Sequence, residues 1–293
     1  MEKPKKAGPA EEGVVMFKLD HARHDPLTCL MPGLFRSLKR GERKKTKLDV
    51  VYEFGEDETA RFVGFEPLGA DDLRIFQGLV AFAGPDGVIL APEPKTKIGN
   101  HLRLFLEAKF DAVDKNAMVV KARMYTLLKE IGLTDGADNI KMLKSSLLRM
   151  SNVSLLVKKG ARQASFNLLS FTFDEDDGRL FVALNPRVAE AISGLRSHTR
   201  IELAEIRSIK SDPARLIHQR LCGWINPAGV GRVTIDTLCS YIWPSETNDT
   251  AIRQRRVTAR KSLKEIEFLG WEVVEYVRGK FTIKRPAKAE TMT

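Results

Sequence analysis

Along residues 234–285 the spacing of apolar positions changes twice. Residues 234–243 (TIDTLCSYIW) repeat at helical spacing and stop at Pro244. Ser245-Glu246-Thr247-Asn248-Asp249 is a polar turn of cap-forming residues. From Asp249 to about Leu269 the helical spacing returns, with Ile252, Ala259, Leu263 and Ile266 in one stripe. After Gly270 the period drops to two, in WEVVEYV and KFTIKR around the turn Arg278-Gly279-Lys280. Helix, turn, helix and hairpin is the sequence order of a winged helix, a module that reads DNA.

The same order is present upstream. A helix over 122–131 ends at Gly132, and a second over 137–150 buries Ile140, Leu143, Leu147 and Met150. Strands over 153–157 and 165–172 then flank Lys158-Lys159-Gly160-Ala161-Arg162. Residue identities differ between the copies, so the repeat is architectural. Segments 48–54 and 59–65 alternate as a hairpin, and a helix from Pro67 ends at Gly84-Pro85. Segment 101–106 reads as an apolar strand, and Ser211-Asp212-Pro213 caps a helix through Trp224. The acidic turn Asp174-Glu175-Asp176-Asp177-Gly178 is the expected boundary. The predicted fold is α+β: two tandem winged-helix DNA-binding domains behind a flexible basic N-terminal arm. The expected limits are 1–45 for the arm, 46–174 and 178–286 for the domains, and 287–293 for a flexible tail.

Charge sharpens the picture. Forty-eight Lys and Arg against 38 Asp and Glu give a net +10, which suits a polyanionic partner. Residues 36–47 hold seven basic side chains against one Glu, as a solvated arm or a phosphate contact would. On the helix after Asn248, six cations (Arg253, Arg255, Arg256, Arg260, Lys261, Lys264) precede the first acid after Asp249, Glu265. An exposed helix that needs only solubility mixes both signs. Arg253, Gln254 and Arg256, near the helix start, are the candidates for base reading. Arg260 and Lys264 are candidates for phosphates, and Arg278 and Lys280 for the flanking backbone or minor groove. In the first copy Lys141, Ser145 and Arg149, with Lys158, Lys159 and Arg162, hold the equivalent places.

Catalytic signals are poor. No GxxxxGK[ST] is present, and Gly229-Val230-Gly231 reads as a loop. His21, His24 and Cys29 lack a fourth ligand at finger spacing, so no metal and no cofactor is expected. HARH has the wrong spacing for a replication nuclease's metal pair, and His218, on a helix beside Leu216 and Ile217, reads as structural. The three cysteines form no CxxC pair, and no window is apolar enough to span a membrane, so a cytoplasmic binding protein is expected.

The runs HDPLTCLMPGLFRSLKRGERKK, PLGADDLRIFQGLVAFAGP, LRLFLE, DGRLFVALNP, ARLIHQRLCGWINP and TIDTLCSYIWPSE resemble the replication protein C initiators of IncQ-type broad-host-range plasmids. The similarity runs from about His21 to Arg285. It implies binding to directly repeated iterons at a vegetative origin, opening of adjacent AT-rich DNA, and delivery of the opened strand to a hexameric plasmid helicase and primase. By analogy with iteron initiators it also implies a possible homodimer. The residues alone equally allow a winged-helix transcriptional regulator that occludes a promoter. His101-Leu102-Arg103-Leu104-Phe105 resembles the Gln-Leu-x-Leu-Phe clamp-docking peptide with His in place of Gln, and an ordinary core strand is the expectation there.

Overall fold

The computed structural model describes residues 17–39, 41–54, 56–174 and 178–287. Residues 17–35 are part of the fold. β1 (His21–His24) leads into α1 (Pro26–Leu30), whose cap Asp25 accepts from the Leu27 N–H. Leu19, Leu27, Met31, Leu34 and Phe35 are buried, so apolar residues draw this segment into the core. The arm expected over 1–45 is therefore corrected from residue 17 onward; residues 1–16 lie outside the described residues. The basic run is anchored too: a 3-10 turn (Glu42–Lys45) follows Arg36, whose N–H donates to the Leu68 carbonyl at 2.9 Å.

The first half continues with β2 (Leu48–Phe54), β3 (Glu58–Gly64), α2 (Ala70–Asp86), β4 (Val88–Leu90) and α3 (Lys97–Phe105). Then come β5 (Lys109–Phe110), β6 (Ala117–Arg123), α4 (Met124–Glu130), α5 (Ala137–Ser151) and β7 (Ser154–Lys159). β8 (Arg162–Asn167), β9 (Leu169–Asp174) and β10 (Arg179–Leu184) close this half. The strand expected at 101–106 is instead the end of α3. Thr96 caps that helix by accepting from Gly99 N (3.0 Å), and Leu102 and Leu106, one turn apart, are buried while Leu104 is exposed. An extended clamp-docking peptide is thus not what this segment presents.

The second half runs α6 (Pro186–Ile192), β11 (Thr199–Glu202), α7 (Leu203–Ser208), α8 (Asp212–Trp224), β12 (Val230–Thr234), α9 (Ile235–Ile242), α10 (Asp249–Glu267), β13 (Glu272–Val277) and β14 (Lys280–Lys284). Ser211 caps α8, Thr234 caps α9 and Asn248 caps α10, each through its side chain. The last three strands form a sheet in the order β12-β14-β13. Of the loop expected at Gly229-Val230-Gly231, Val230 and Gly231 open β12. Gly231 hides the strand pattern because no side chain fits there: a Cβ would lie 2.9 Å from atoms of Ile225 and Trp224.

The first half departs from that arrangement. β7 and β8 sit inside a five-stranded sheet, β2-β3-β7-β8-β5, while β6 belongs to a four-stranded one, β4-β6-β10-β9. The strands before and after residues 175–177, which lie outside the described residues, pair with each other from Asp174↔Arg179 to Leu169↔Leu184. The expected boundary therefore falls between two paired strands of one sheet. β1 pairs with β11, so the N-terminal strand is held by the second half. One apolar core runs from Leu19 to Ile283 across both halves. α2 packs on α8, and the buried Gln77 Nε2 donates to Gln219 Oε1 at 2.6 Å. Of the expected tail, residues 288–293 lie outside the described residues.

Candidate nucleic-acid interface

α10 presents one face to the core and the other to solvent. Ala259, Ser262, Leu263 and Ile266 are buried, and the helix packs on α8 and α9. Arg253, Gln254, Val257, Lys261 and Lys264 are exposed. Among the described residues, the cations of Arg253, Lys261 and Lys264 have no protein partner. Arg255 turns back instead: it donates to the Ser245 carbonyl (2.8 Å) and lies 5.9 Å from the Trp243 ring, which locks the turn between α9 and α10.

Two of the expected DNA-contacting residues are tethered. Arg256 grips Asp236 of α9 with Nε and Nη2, at 2.6 and 2.9 Å. Arg260 reaches across to Glu275 of β13 at 2.9 Å, and the same carboxylate oxygen accepts from Gly279 N at 2.6 Å. The Arg260 hydrogen bond, then the Gly279 N–H, hold the Glu275 carboxyl below its ordinary range. This chain of contacts ties the exposed helix to the hairpin turn, where Gly279 takes a φ of 78° between exposed Arg278 and Lys280. Exposed ion pairs hold weakly in water, so phosphates can displace either carboxylate at little cost.

In the first half Lys141 is exposed and Ser145 half-buried on α5, while Lys158, Lys159 and Arg162 are exposed around the β7–β8 turn. Lys159 Nζ lies 2.5 Å from Glu58 Oε1. Arg149 is placed differently. Its guanidinium donates to Asp72 Oδ1 (2.7 and 3.0 Å), Asp71 Oδ2 (3.1 Å) and Ser146 Oγ (2.9 Å). Asp72 is fully buried, also caps α2 through Gly69 N (2.8 Å), and accepts from Arg43 of the basic run at 3.2 Å. Arg149 therefore joins α5 to α2 through Nε and Nη2. Lys44, Lys45 and Lys47, beside this network, are exposed.

Residues 16–287 match the family Replication protein C (RepC). The chain belongs to that family. It is thus a replication protein with a role in replication initiation. A crystal structure of domains 2 and 3 of RctB has a TM-score of 0.54 to this RepC-family chain at 9% identity, covering 90% of this chain and 99% of that one. A second structure of the same RctB domains gives 0.52 at 8% identity, covering 89% and 97%. At such identity the likeness concerns the fold. No curated protein matches in sequence. Among the described residues of the RepC-family chain, no helix is long and apolar enough to cross a membrane.

Spacing did not reveal the acidic partners Asp236 and Glu275 or the locking role of Arg255. Each depends on a contact between elements, and no periodicity within one helix signals it.

Proposed function

We propose that the chain is an origin-binding initiator built on a winged helix, α8-β12-α9-α10-β13-β14, and a counterpart, α2-β6-α4-α5-β7-β8, that keeps the winged-helix element order with its strands divided between two sheets. The observation that carries this reading is the solvent face of α10. It is basic, unpaired at Arg253, Lys261 and Lys264, and tied through Arg260 and Glu275 to a basic hairpin turn. Such a face matches a major groove, with the hairpin turn on the adjacent backbone. Arg253, Gln254 and, once released by Asp236, Arg256 read bases; Arg260, Lys264, Arg278 and Lys280 hold phosphates. The first unit adds Lys141, Ser145, Lys158, Lys159 and Arg162. Its Arg149 serves as a brace behind that surface.

The duplex is an array of direct iterons in a plasmid origin, as the family resemblance implies. Opening of adjacent AT-rich DNA draws on binding energy, since two basic units on one site can bend or underwind it. The opened strand then passes to the plasmid's hexameric helicase and primase. Homodimer formation is supported by β4, an edge strand whose Val88 and Ile89 are exposed.

If about eight phosphates are neutralised, log K falls against log salt with a slope near −7. Arg253→Ala is expected to relax sequence preference by about 1–3 kcal/mol at one position. Lys264→Ala is expected to weaken all sequences alike and reduce the salt slope by about 1. Gel shifts on single and repeated sites across a salt series check both, and indistinguishable variants would overturn the division of roles. Permanganate footprinting of AT-rich DNA beside bound repeats separates an initiator from a repressor that only occludes a promoter. Unreactive thymines at saturation exclude opening by this chain.

A further inference from the structure

A cleft of about 430 Å³ opens between the C-terminal end of α8, α9 and the last sheet. Trp224, Tyr276, Arg220, Arg232, Thr237 and Ser240 line it. Trp224 is 43% and Tyr276 50% exposed, unusual for large aromatic residues with no structural task at their outer faces. Arg232 is exposed on the edge strand and lies over the Tyr276 ring at 5.9 Å; among the described residues it has no carboxylate partner. Arg220 donates to the Leu30 carbonyl and covers the ring of Tyr241 at 5.1 Å, so its charge is fixed at the cleft wall.

The lining contains no carboxylate. Four other clefts each contain at least one: Glu205 and Glu265, Glu58 and Asp111, Asp236 and Glu246, and Glu66. Exposed aromatic faces beside unpaired guanidinium, with hydroxyls and without acid, form the combination that stacks bases and holds the phosphates of a single strand. A duplex does not use it, because its bases are already stacked. The cleft is also well placed. Its Thr234 is paired in register with Lys280 of the hairpin turn, and Ile235 N donates to the Gly279 carbonyl at 2.8 Å. It therefore begins where the proposed duplex grip ends.

We propose that this cleft binds single-stranded DNA, stacking an unpaired base on Trp224 and Tyr276 and neutralising its phosphate with Arg232. The proposal rests on the reading of the chain as a DNA-binding initiator and gives the opened strand a place to go. Binding of that strand would trap the melted state by mass action.

The test uses the full chain and fluorescence anisotropy with labelled oligothymidylate, oligouridylate and a duplex carrying the repeats. Trp224→Ala and Arg232→Ala are each expected to weaken oligothymidylate binding about tenfold, the scale of one lost stacked base, with duplex affinity changed less than about twofold. Trp224→Phe, which keeps a stacking face, is expected to restore most of the affinity. Because Gly231 packs close to Trp224, thermal melting of each variant and Arg232→Ala, which removes no core contact, separate lost binding from lost folding. Unchanged oligothymidylate binding in both variants overturns the cleft while leaving the duplex reading intact. Equal losses on duplex and single strand overturn it too, by showing one shared surface. Tighter, Trp224-dependent binding of oligouridylate overturns the assignment to DNA. Wild-type protein that binds no duplex overturns the initiator reading itself.

Discussion

Replacing Arg149 with alanine is expected to lower the unfolding free energy by about 3–5 kcal/mol, the scale for stripping one partner from a buried ion pair. The carboxylate left behind is Asp72, fully buried at the start of α2. Burial, then the charge of Asp71, already raises the Asp72 carboxyl above its ordinary value; Arg149 and Arg43 work against that rise. Without Arg149 it rises further. A folded-state carboxyl above its unfolded value binds more protons than the unfolded chain, so stability grows as pH falls toward the unfolded value, near 3.8. The deficit of Arg149→Ala should therefore shrink on acidification, and Asp72→Asn in the same chain should restore part of it. Urea unfolding from neutral pH toward pH about 5 measures this. A variant as stable as wild type but weak on DNA would return Arg149 to the phosphate-binding set.

His218 carries the second large effect. It is fully buried in α8, with Nε2 2.8 Å from Glu205 Oε2 and 3.5 Å from Cys222 Sγ. Trp271 Nε1 donates to the other Glu205 oxygen at 2.9 Å, so α7, α8 and the start of β13 meet at one carboxylate. Burial by itself would push the imidazole down, but Cys222 and Glu205 together outweigh it and raise the group to about 10. The raised value means that the stabilisation is fully present below 6.5 and is lost as pH climbs to about 10. The slope in that window is at most about 1.4 kcal/mol per pH unit. His218→Gln should cost about 3–5 kcal/mol at neutral pH, because Glu205 keeps only Trp271, and should flatten this slope. Unfolding free energies from pH 6.5 to 10 in both proteins decide it. Parallel curves would show that the imidazole is neutral in the folded chain.

These two residues show what spacing can and cannot tell. Lys264 and Arg149 occupy the same kind of position, a cation on the outward side of an amphipathic helix, and periodicity treats them alike. Lys264 is exposed, whereas Arg149 faces a carboxylate 77 residues earlier in the chain. The basic run at 36–47 is a similar case. Its composition reads as a solvated arm or a phosphate contact, yet Arg43 closes on Asp71 and Asp72 and fixes the segment to α2. Burial of His218 was legible from its apolar neighbours. Its charged state was not, because Glu205 comes from another helix.

Helices and hairpins with strong local pattern were legible: α8, α9, α10, the hairpin β13–β14 and the β2–β3 pair all lie where their periodicity puts them. Their caps Ser211, Thr234 and Asn248 bond within three residues, so the information is local. β12 was hidden by Gly231, and α3 by a short apolar stretch that suits either period. By itself the sequence determined a basic α+β chain with a positive helix before a basic hairpin, since those features repeat within a turn or a strand pair. The tertiary structure alone decided that β1 joins β11, that β9 and β10 pair across the expected boundary, and that both halves share one core. It also decided which cations face water and which face buried acid. Contacts between distant segments depend on which faces meet after folding, and no spacing along one element records that.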